Sequence, residues 1–240
     1  MSDPKIVAII QARLNSTRQP AKVMLDLCGK TLLQRVIDRV RQAETVDEIW
    51  VATSLEPRED VVVHSAESYG TKVYRGDLED VLARYLGAAQ ASGADIVVRV
   101  TSDNPLADSR FIDMGVKRLL DEGLDYLDFE ETPWGAQPFV FTTKALARAS
   151  DLAAAADERE HVVPYFMRHP ETFKTITWTC PIEAIRKPEA RVTLDTMDDY
   201  VLLYKVFKHF KGDSAVALED VLPFIEQLER QSQADQAQAD

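Results

Sequence analysis

Lys5-Ile-Val-Ala-Ile-Ile-Gln11 runs directly into Ala12-Arg13-Leu14-Asn15-Ser16-Thr17-Arg18-Gln19-Pro20-Ala21-Lys22. The first segment is short, apolar and rich in Ile and Val, which predicts a buried strand. The second is a loop with three cations, Arg13, Arg18 and Lys22, and no acid. A buried strand that opens into a cationic loop sets the frame for the rest of the chain.

Outward from that strand, helix and strand patterns alternate. Thr31 to Ala43 reads as an amphipathic helix with Leu32, Leu33, Val36, Ile37 and Val40 on one face. Strands are expected over 48–53, 72–75, 95–101 and 124–129, and helices over 59–69, 79–91 and 109–122. This order predicts an α/β fold with a mostly parallel sheet and helices on both faces. Such sheets bind ligands beyond the carboxyl ends of their strands, where the loops after Gln11, Thr53, Arg75 and Thr101 emerge.

Beyond about residue 130 the rhythm changes. Thr132 to Pro138 reads as a loop, 139–142 as a strand, 144–156 and 158–168 as helices with Pro164 inside the second, and 173–179 as a strand. A short strand is expected at 191–194 and helices at 197–210 and 216–228. The stretch 130–190 is read as a lid or dimerisation subdomain inserted in a domain spanning 1–212. Residues 213–240 then form an acidic helix and tail, whose Gln/Ala/Asp end at 231–240 is expected to be disordered.

Composition narrows the function classes. The 240 residues are 45% hydrophobic and 28% charged, as in a globular protein with a real core. A net charge of −12 argues against non-specific nucleic-acid or anionic-membrane binding. Residues 1–42 nevertheless carry a net charge of +5, while 213–240 carry −6. Cys28 and Cys180 are too few for a disulfide framework or a four-ligand zinc site, so a reducing cytoplasm is expected. Neither a signal peptide nor an apolar run of membrane-spanning length is read at the N-terminus.

The chemistry-bearing residues sit at predicted strand ends. Arg13, Arg18 and Lys22, with the hydroxyls of Ser16 and Thr17, suit a triphosphate, which needs several converging cations and N–H donors. They could equally be surface charges near a turn. Gly29-Lys30-Thr31 imitates the end of a P-loop, but Met24 stands where its first glycine belongs, and no G-x-G-x-x-G occurs. Asp103 follows the strand at 95–101 and Asp195 follows 191–194. Two such carboxylates could hold Mg²⁺ together with phosphate oxygens. Alternatively, Asp103 could cap the turn before Pro105, and Asp195 the helix that begins near Met197.

Taken together, these residues resemble a family. Ile9-Ile-Gln-Ala-Arg13-x-x-Ser16-Thr17-Arg18-x-Pro20-x-Lys22 is similar to the signature loop of the cytidylyltransferases, which include the CMP-Kdo and CMP-sialic acid synthetases. The nearest likeness is to the spore-coat-polysaccharide type. Val73 to Tyr85, Val98 to Leu106, Glu158 to Tyr165 and Val192 to Thr196 resemble further blocks, so the likeness covers about residues 5–210. Asn15, Ala21 and Ser102 stand where glycine is usual, and Trp134 to Phe141 lacks an acid expected near Gln137 or Phe139.

The resemblance implies a Rossmann-like, nucleotide-diphospho-sugar transferase type of sheet and a Mg²⁺-dependent transfer of CMP from CTP to a sugar. A 2-keto acid sugar is the expected acceptor, and pyrophosphate the by-product, in surface polysaccharide synthesis. It assigns the catalytic roles to Arg13, Lys22 and Asp103 and the metal to Asp103 and Asp195. Nucleotide contacts fall on Ala12, Arg13, Ser16, Arg18, Lys22, Arg75, Asp80 and Arg84, and acceptor contacts on Gln137, Arg159 and His161. A homodimer is implied, with Trp134, Phe139, Phe141, Tyr165 and Phe166 as candidate aromatic surface. Use of another nucleoside triphosphate, or a nucleotide-binding homologue without activity, are the alternatives.

Overall fold

The computed structural model describes residues 3–16 and 19–239, with side chains to 234. In chain order the elements are β1 (Ile6–Gln11), α1 (Leu32–Val40), β2 (Glu48–Ser54), α2 (Asp60–Ser68), β3 (Lys72–Gly76), α3 (Val81–Ser92), β4 (Ile96–Thr101) and α4 (Ser109–Glu122). There follow β5 (Tyr126–Glu130), β6 (Phe139–Thr142), α5 (Thr143–Leu152), α6 (Ala156–His161), α7 (Val163–Arg168), β7 (Thr175–Thr179), α8 (Met197–His209) and α9 (Leu218–Ala239).

The seven strands form one sheet in the order β3-β2-β1-β4-β6-β5-β7. Strands β1 to β4 are mutually parallel, and β6 alone runs against its neighbours β4 and β5. The fold is therefore the mostly parallel α/β sheet expected. The strands at 139–142 and 173–179, within the stretch read as a lid, are members of that sheet. Gln11 is in register with Thr101, so the cationic loop and the Asp103 turn leave the sheet side by side.

Apolar side chains on each side of the sheet seal one core layer. On one face, Ile10, Val98, Leu127 and Val140 meet α1, α4 and α8. On the other, Val7, Ile9, Val97, Tyr126 and Phe141 meet α3, α5 and α7. Phe141, Tyr165 and Phe166 belong to this second layer, with Phe166 stacked on Tyr126 at 5.0 Å between ring centroids. They are core, not dimerisation surface. Trp134, by contrast, is 61% exposed.

Other local expectations also change. Helix 158–168 divides at Val162, which has φ 66°, and Pro164 lies in the first turn of α7, where its missing N–H costs nothing. Residues 191–194 form no strand beyond a single bridge from Arg191 to Trp134. Helix α9 continues through the segment expected to be disordered, because Ala and Gln are good helix formers even in a repetitive sequence. Arg35 and Arg39, part of the N-terminal cationic excess, are buried staples. They donate to the carbonyls of Leu27, Ala107, Gly212 and Val216, tying α1 to the chain before α9.

Candidate active site

The carboxyl ends of β1 and β4 and the stretch before α8 converge on one ammonium group. Lys22, buried in a single turn of 3-10 helix after the cationic loop, donates from Nζ to Asp103 Oδ2 at 2.9 Å, Asp195 Oδ1 at 3.1 Å and the Leu194 carbonyl at 2.8 Å. Neither aspartate caps a helix or turn. The cap of α8 is Thr196, in a reciprocal capping box with Asp199, and Asp199 also accepts from the Asp195 amide at 2.9 Å. Backbone bonds close the turn after β4, from Asn104 N to the Thr101 carbonyl and from Ala107 N to the Asn104 carbonyl. Both carboxylates are thereby left to face the cleft. Arg191 pairs with the second oxygen of Asp195.

A cavity of about 320 Å³ opens above this cluster. It is lined by Gln11, Ala12, Arg13, Ser16, Lys22, Arg84, Asp103, Glu160, His161 and Asp195, among others. Of the three cations of the first loop, Arg13 and Lys22 line it; Arg18 lies outside the described residues. Arg84 reaches it from α3, only 2% exposed, with its Nε lacking a hydrogen-bond partner among the described residues. Burial lowers the pKa of this guanidinium, and Arg13 adds to the effect. An anion entering the cavity would relieve both costs.

Arg75, Asp80 and Arg159 lie outside the cavity lining. Arg75 is occupied with the Ser54 and Glu56 carbonyls and with Asp60. Asp80 caps α3 through the Ala83 amide and accepts from Arg159 Nε at 2.7 Å. That pair fastens α6 to the start of α3, which holds His161 over the cleft.

Nothing in the sequence pattern singles out Glu59. It is fully buried, and its carboxylate accepts from the Leu14 amide and from Thr53 Oγ1, each at 3.1 Å. A buried anion thus pins the cationic loop to the end of β2. Ala21, where glycine is usual, has φ 55°, so it is the left-handed position of this loop.

A second cavity, of about 520 Å³, adjoins the first and shares Thr101, Asp103, His161 and Asp195 with it. Its remaining lining includes Arg99, Asn104, Asp128, Phe129, Trp134, Gln137, Phe139 and Met167. Gln137 is the third candidate acceptor contact, and its Oε1 is buried without a partner among the described residues. Gly135 has φ 98°, and a Cβ there would lie 2.9 Å from Asn104 Oδ1 and 3.2 Å from the Thr193 amide. The loop carrying Trp134 packs that closely over the cavity.

Among the described residues no cluster of three or more His, Cys, Asp or Glu could hold a metal. The donor set is a pair of carboxylates beside a cationic cavity. It fits a hard cation that arrives with phosphate oxygens and water, as Mg²⁺ does.

The sequence matches the family described as cytidylyltransferase over residues 7–238. The chain belongs to the cytidylyltransferase family. It is 36% identical over 206 residues to an uncharacterised protein of Methanocaldococcus jannaschii, covering 86% of this chain and 84% of the relative. It is 34% identical over 200 residues to the spore coat polysaccharide biosynthesis protein SpsF of Bacillus subtilis, covering 81% and 83%. Among solved structures, a cytidylyltransferase from Leptospira borgpetersenii superposes with a TM-score of 0.86 at 29% identity, over 95% of this chain and 96% of that one. A CMP:2-keto-3-deoxy-manno-octonic acid synthetase complexed with CTP shares the fold, with a TM-score of 0.67 at 19% identity, over 85% and 99% of the two chains.

Proposed function

We propose that this cytidylyltransferase transfers CMP from CTP to an acid sugar of the 2-keto type and releases pyrophosphate, in surface polysaccharide synthesis. The observation that carries the reading is the meeting of two cavities at Asp103 and Asp195. An in-line displacement at phosphorus needs the nucleotide on one side of the reacting centre and the acceptor on the other. A spore coat polysaccharide protein and several 3-deoxy-manno-octulosonate cytidylyltransferases among the relatives support the substrate class.

The acceptor hydroxyl oxygen bonds to the α-phosphorus as the bond from phosphorus to the bridging oxygen of pyrophosphate breaks, and the hydroxyl proton passes to solvent water. Arg13, Lys22 and Arg84 hold the phosphates and offset the charge that builds on the leaving group. Asp103 and Asp195 would hold Mg²⁺, which supplies charge neutralisation at the reacting phosphate. Lys22 spans the two carboxylates at the edge of the nucleotide cavity, so its ammonium would be within reach of the phosphates if the carboxylates held a divalent cation. The protein's contribution is positioning and electrostatics, not a covalent intermediate.

No helix among the described residues is long and apolar enough to cross a membrane. Two free thiols, Cys28 and Cys180, favour a reducing cytoplasm, and exposed Trp134 supports a homodimer. The experiment is pyrophosphate release from CTP, UTP and GTP in Mg²⁺ with a panel of 2-keto acid sugars. Release with CTP and one such sugar is expected, and preference for another nucleotide would shift the reading to a different nucleotidyltransferase.

A further inference from the structure

Arg99, Phe139 and Asp128 form a row across the second cavity. Arg99 on β4 is in register with Phe139 on β6, and β5 continues the row, since Leu127 is in register with Val140. The row starts two residues before Thr101, at the edge shared with the nucleotide cavity, and leads away from it. At the usual strand spacing, the two steps from β4 to β5 cover about 10 Å.

The two ends of this row are a buried cation and a buried anion that do not meet. Arg99 is 8% exposed, its guanidinium lies between the Tyr85 and Phe139 rings, and among the described residues its one hydrogen bond is to Gln11 Oε1 at 3.3 Å, with no partner for Nε. Asp128 is 9% exposed; the Phe129 amide donates to it at 2.6 Å, and the buried Tyr126 hydroxyl, with no acceptor within strict hydrogen-bond geometry among the described residues, is the other polar group beside it. Burial pushes the Asp128 carboxyl up to about 6, against the opposing pull of that amide, Tyr126 and Arg99. Neither side chain has an ion-pair partner within 4 Å among the described residues. Buried charges left this way cost stability, unless a ligand completes them. Gln137, whose buried Oε1 has no partner among the described residues, and the exposed Trp134 line the same cavity.

We propose that Asp128 is a specificity-determining residue, accepting a hydrogen bond from a hydroxyl or ammonium group at the far end of the acceptor while Arg99 holds the acceptor's carboxylate. The inference rests on the acid-sugar reading above and deepens it. In a 2-keto acid the carboxylate is bonded to the carbon that bears the reacting hydroxyl. Arg99, beside the shared edge, is placed for that carboxylate. Asp128, two strands away, then reads a donor on the exocyclic chain of a long-chain acid sugar. A short sugar acid would leave Asp128 unmet. Gln137 adds an acceptor to the same cavity.

The test combines Asp128→Asn with two probes, 3-deoxy-manno-octulosonate and N-acetylneuraminate. Steady-state pyrophosphate release is measured with CTP, and thermal melting at pH 7.5. The variant should melt no lower than the wild type, raise the KM of the better acceptor tenfold or more, and leave the KM of CTP within twofold. A clearly lower melting temperature would make Asp128 a residue of the fold and overturn the assignment. So would an unchanged acceptor KM, or an equal rise in both KM values. If the wild type releases no pyrophosphate with either sugar, the acid-sugar reading is what fails. Calorimetric binding of the same sugars then judges the pocket: weaker binding by the variant supports the role of Asp128, and equal or absent binding overturns it.

Discussion

The Leu194 amide donates to the Asp103 carbonyl at 2.8 Å. The Thr193 hydroxyl reaches the same carbonyl at 3.2 Å. The turn after β4 and the chain before α8 are thus joined through backbone, and the separation of the two carboxylates does not depend on Lys22 alone. Loss of the ammonium contact would therefore leave the two carboxylates side by side.

Lys22→Met follows from that geometry. The carboxylates stay close but lose the cation they share, so kcat for pyrophosphate release should fall by ~10²-fold or more, the usual cost of one electrostatic stabiliser. The nucleotide-free variant should also melt lower than the wild type and recover more on addition of Mg²⁺. Melting curves with and without the metal check this, and equal metal responses would argue against a shared cation site.

Glu59→Ala should act on the nucleotide without touching it. The substitution strands the half-buried Leu14 amide, at a cost of at most about 1–3 kcal/mol, before any cavity is counted. Because Leu14 sits in the loop that bears Arg13 and Lys22, the KM for CTP should rise by about tenfold, on the argument that misplaced phosphate contacts lose binding. Chemical denaturation and CTP saturation curves measure the two effects. A destabilised variant with an unaltered KM for CTP would confine Glu59 to the fold.

Asp128 makes stability depend on pH. Its native pKa of about 6 lies above the ordinary 3.8. Below 3.8 the group is protonated both folded and unfolded, and it contributes nothing. Between 3.8 and 6 the unfolded chain sheds the proton first, so stability falls as pH rises. Above 6 the penalty is constant, at most about 3 kcal/mol for a shift of roughly two units. Arg99, Tyr126 and Glu130 act on the same carboxyl, and His161 lines its cavity. Asp128→Asn should therefore gain stability over the wild type at pH 7.5 but hardly at pH 4. Denaturant titrations at both values would refute the account if the gain were equal.

Gly135→Ala should impair the acceptor side. The left-handed backbone strains any Cβ, and this one would press on Asn104 and on the Thr193 amide. A cost of about 1–3 kcal/mol in stability is expected, as for other side chains forced into strained backbone. Turnover with the acceptor should drop more than affinity for CTP, which kinetics with each substrate varied in turn would show.

Much of this was legible in the sequence because local patterns agreed with the fold. Strand β1, the helix from Ser109 to Glu122 and the strand at 139–142 could be read from apolar runs bounded by turn residues. The cationic loop and the two aspartates could be placed at one rim because a parallel sheet puts successive strand ends together. What escaped were features made by tertiary contact. Glu59 looked like an ordinary helix-start acid, and its burial depends on the distant Leu14 amide. Asp128 and Arg99 looked like polar members of strands, and only the register of β4, β6 and β5 lines them up. Arg75, Asp80 and Arg159 carry the charges expected of a site, yet they are consumed by caps and cross-ties. The break at Val162 left no mark, since a β-branched residue in left-handed backbone is held by packing, not by preference.

The most direct test of the central claim is the rate of pyrophosphate release from CTP by Asp103→Asn and Asp195→Asn in saturating Mg²⁺, with a wild-type acceptor in excess. If the two carboxylates hold one magnesium-bound nucleotide, each variant should keep its fold and lose ~10²-fold or more in kcat. A folded variant that turns over at nearly the wild-type rate would contradict the account.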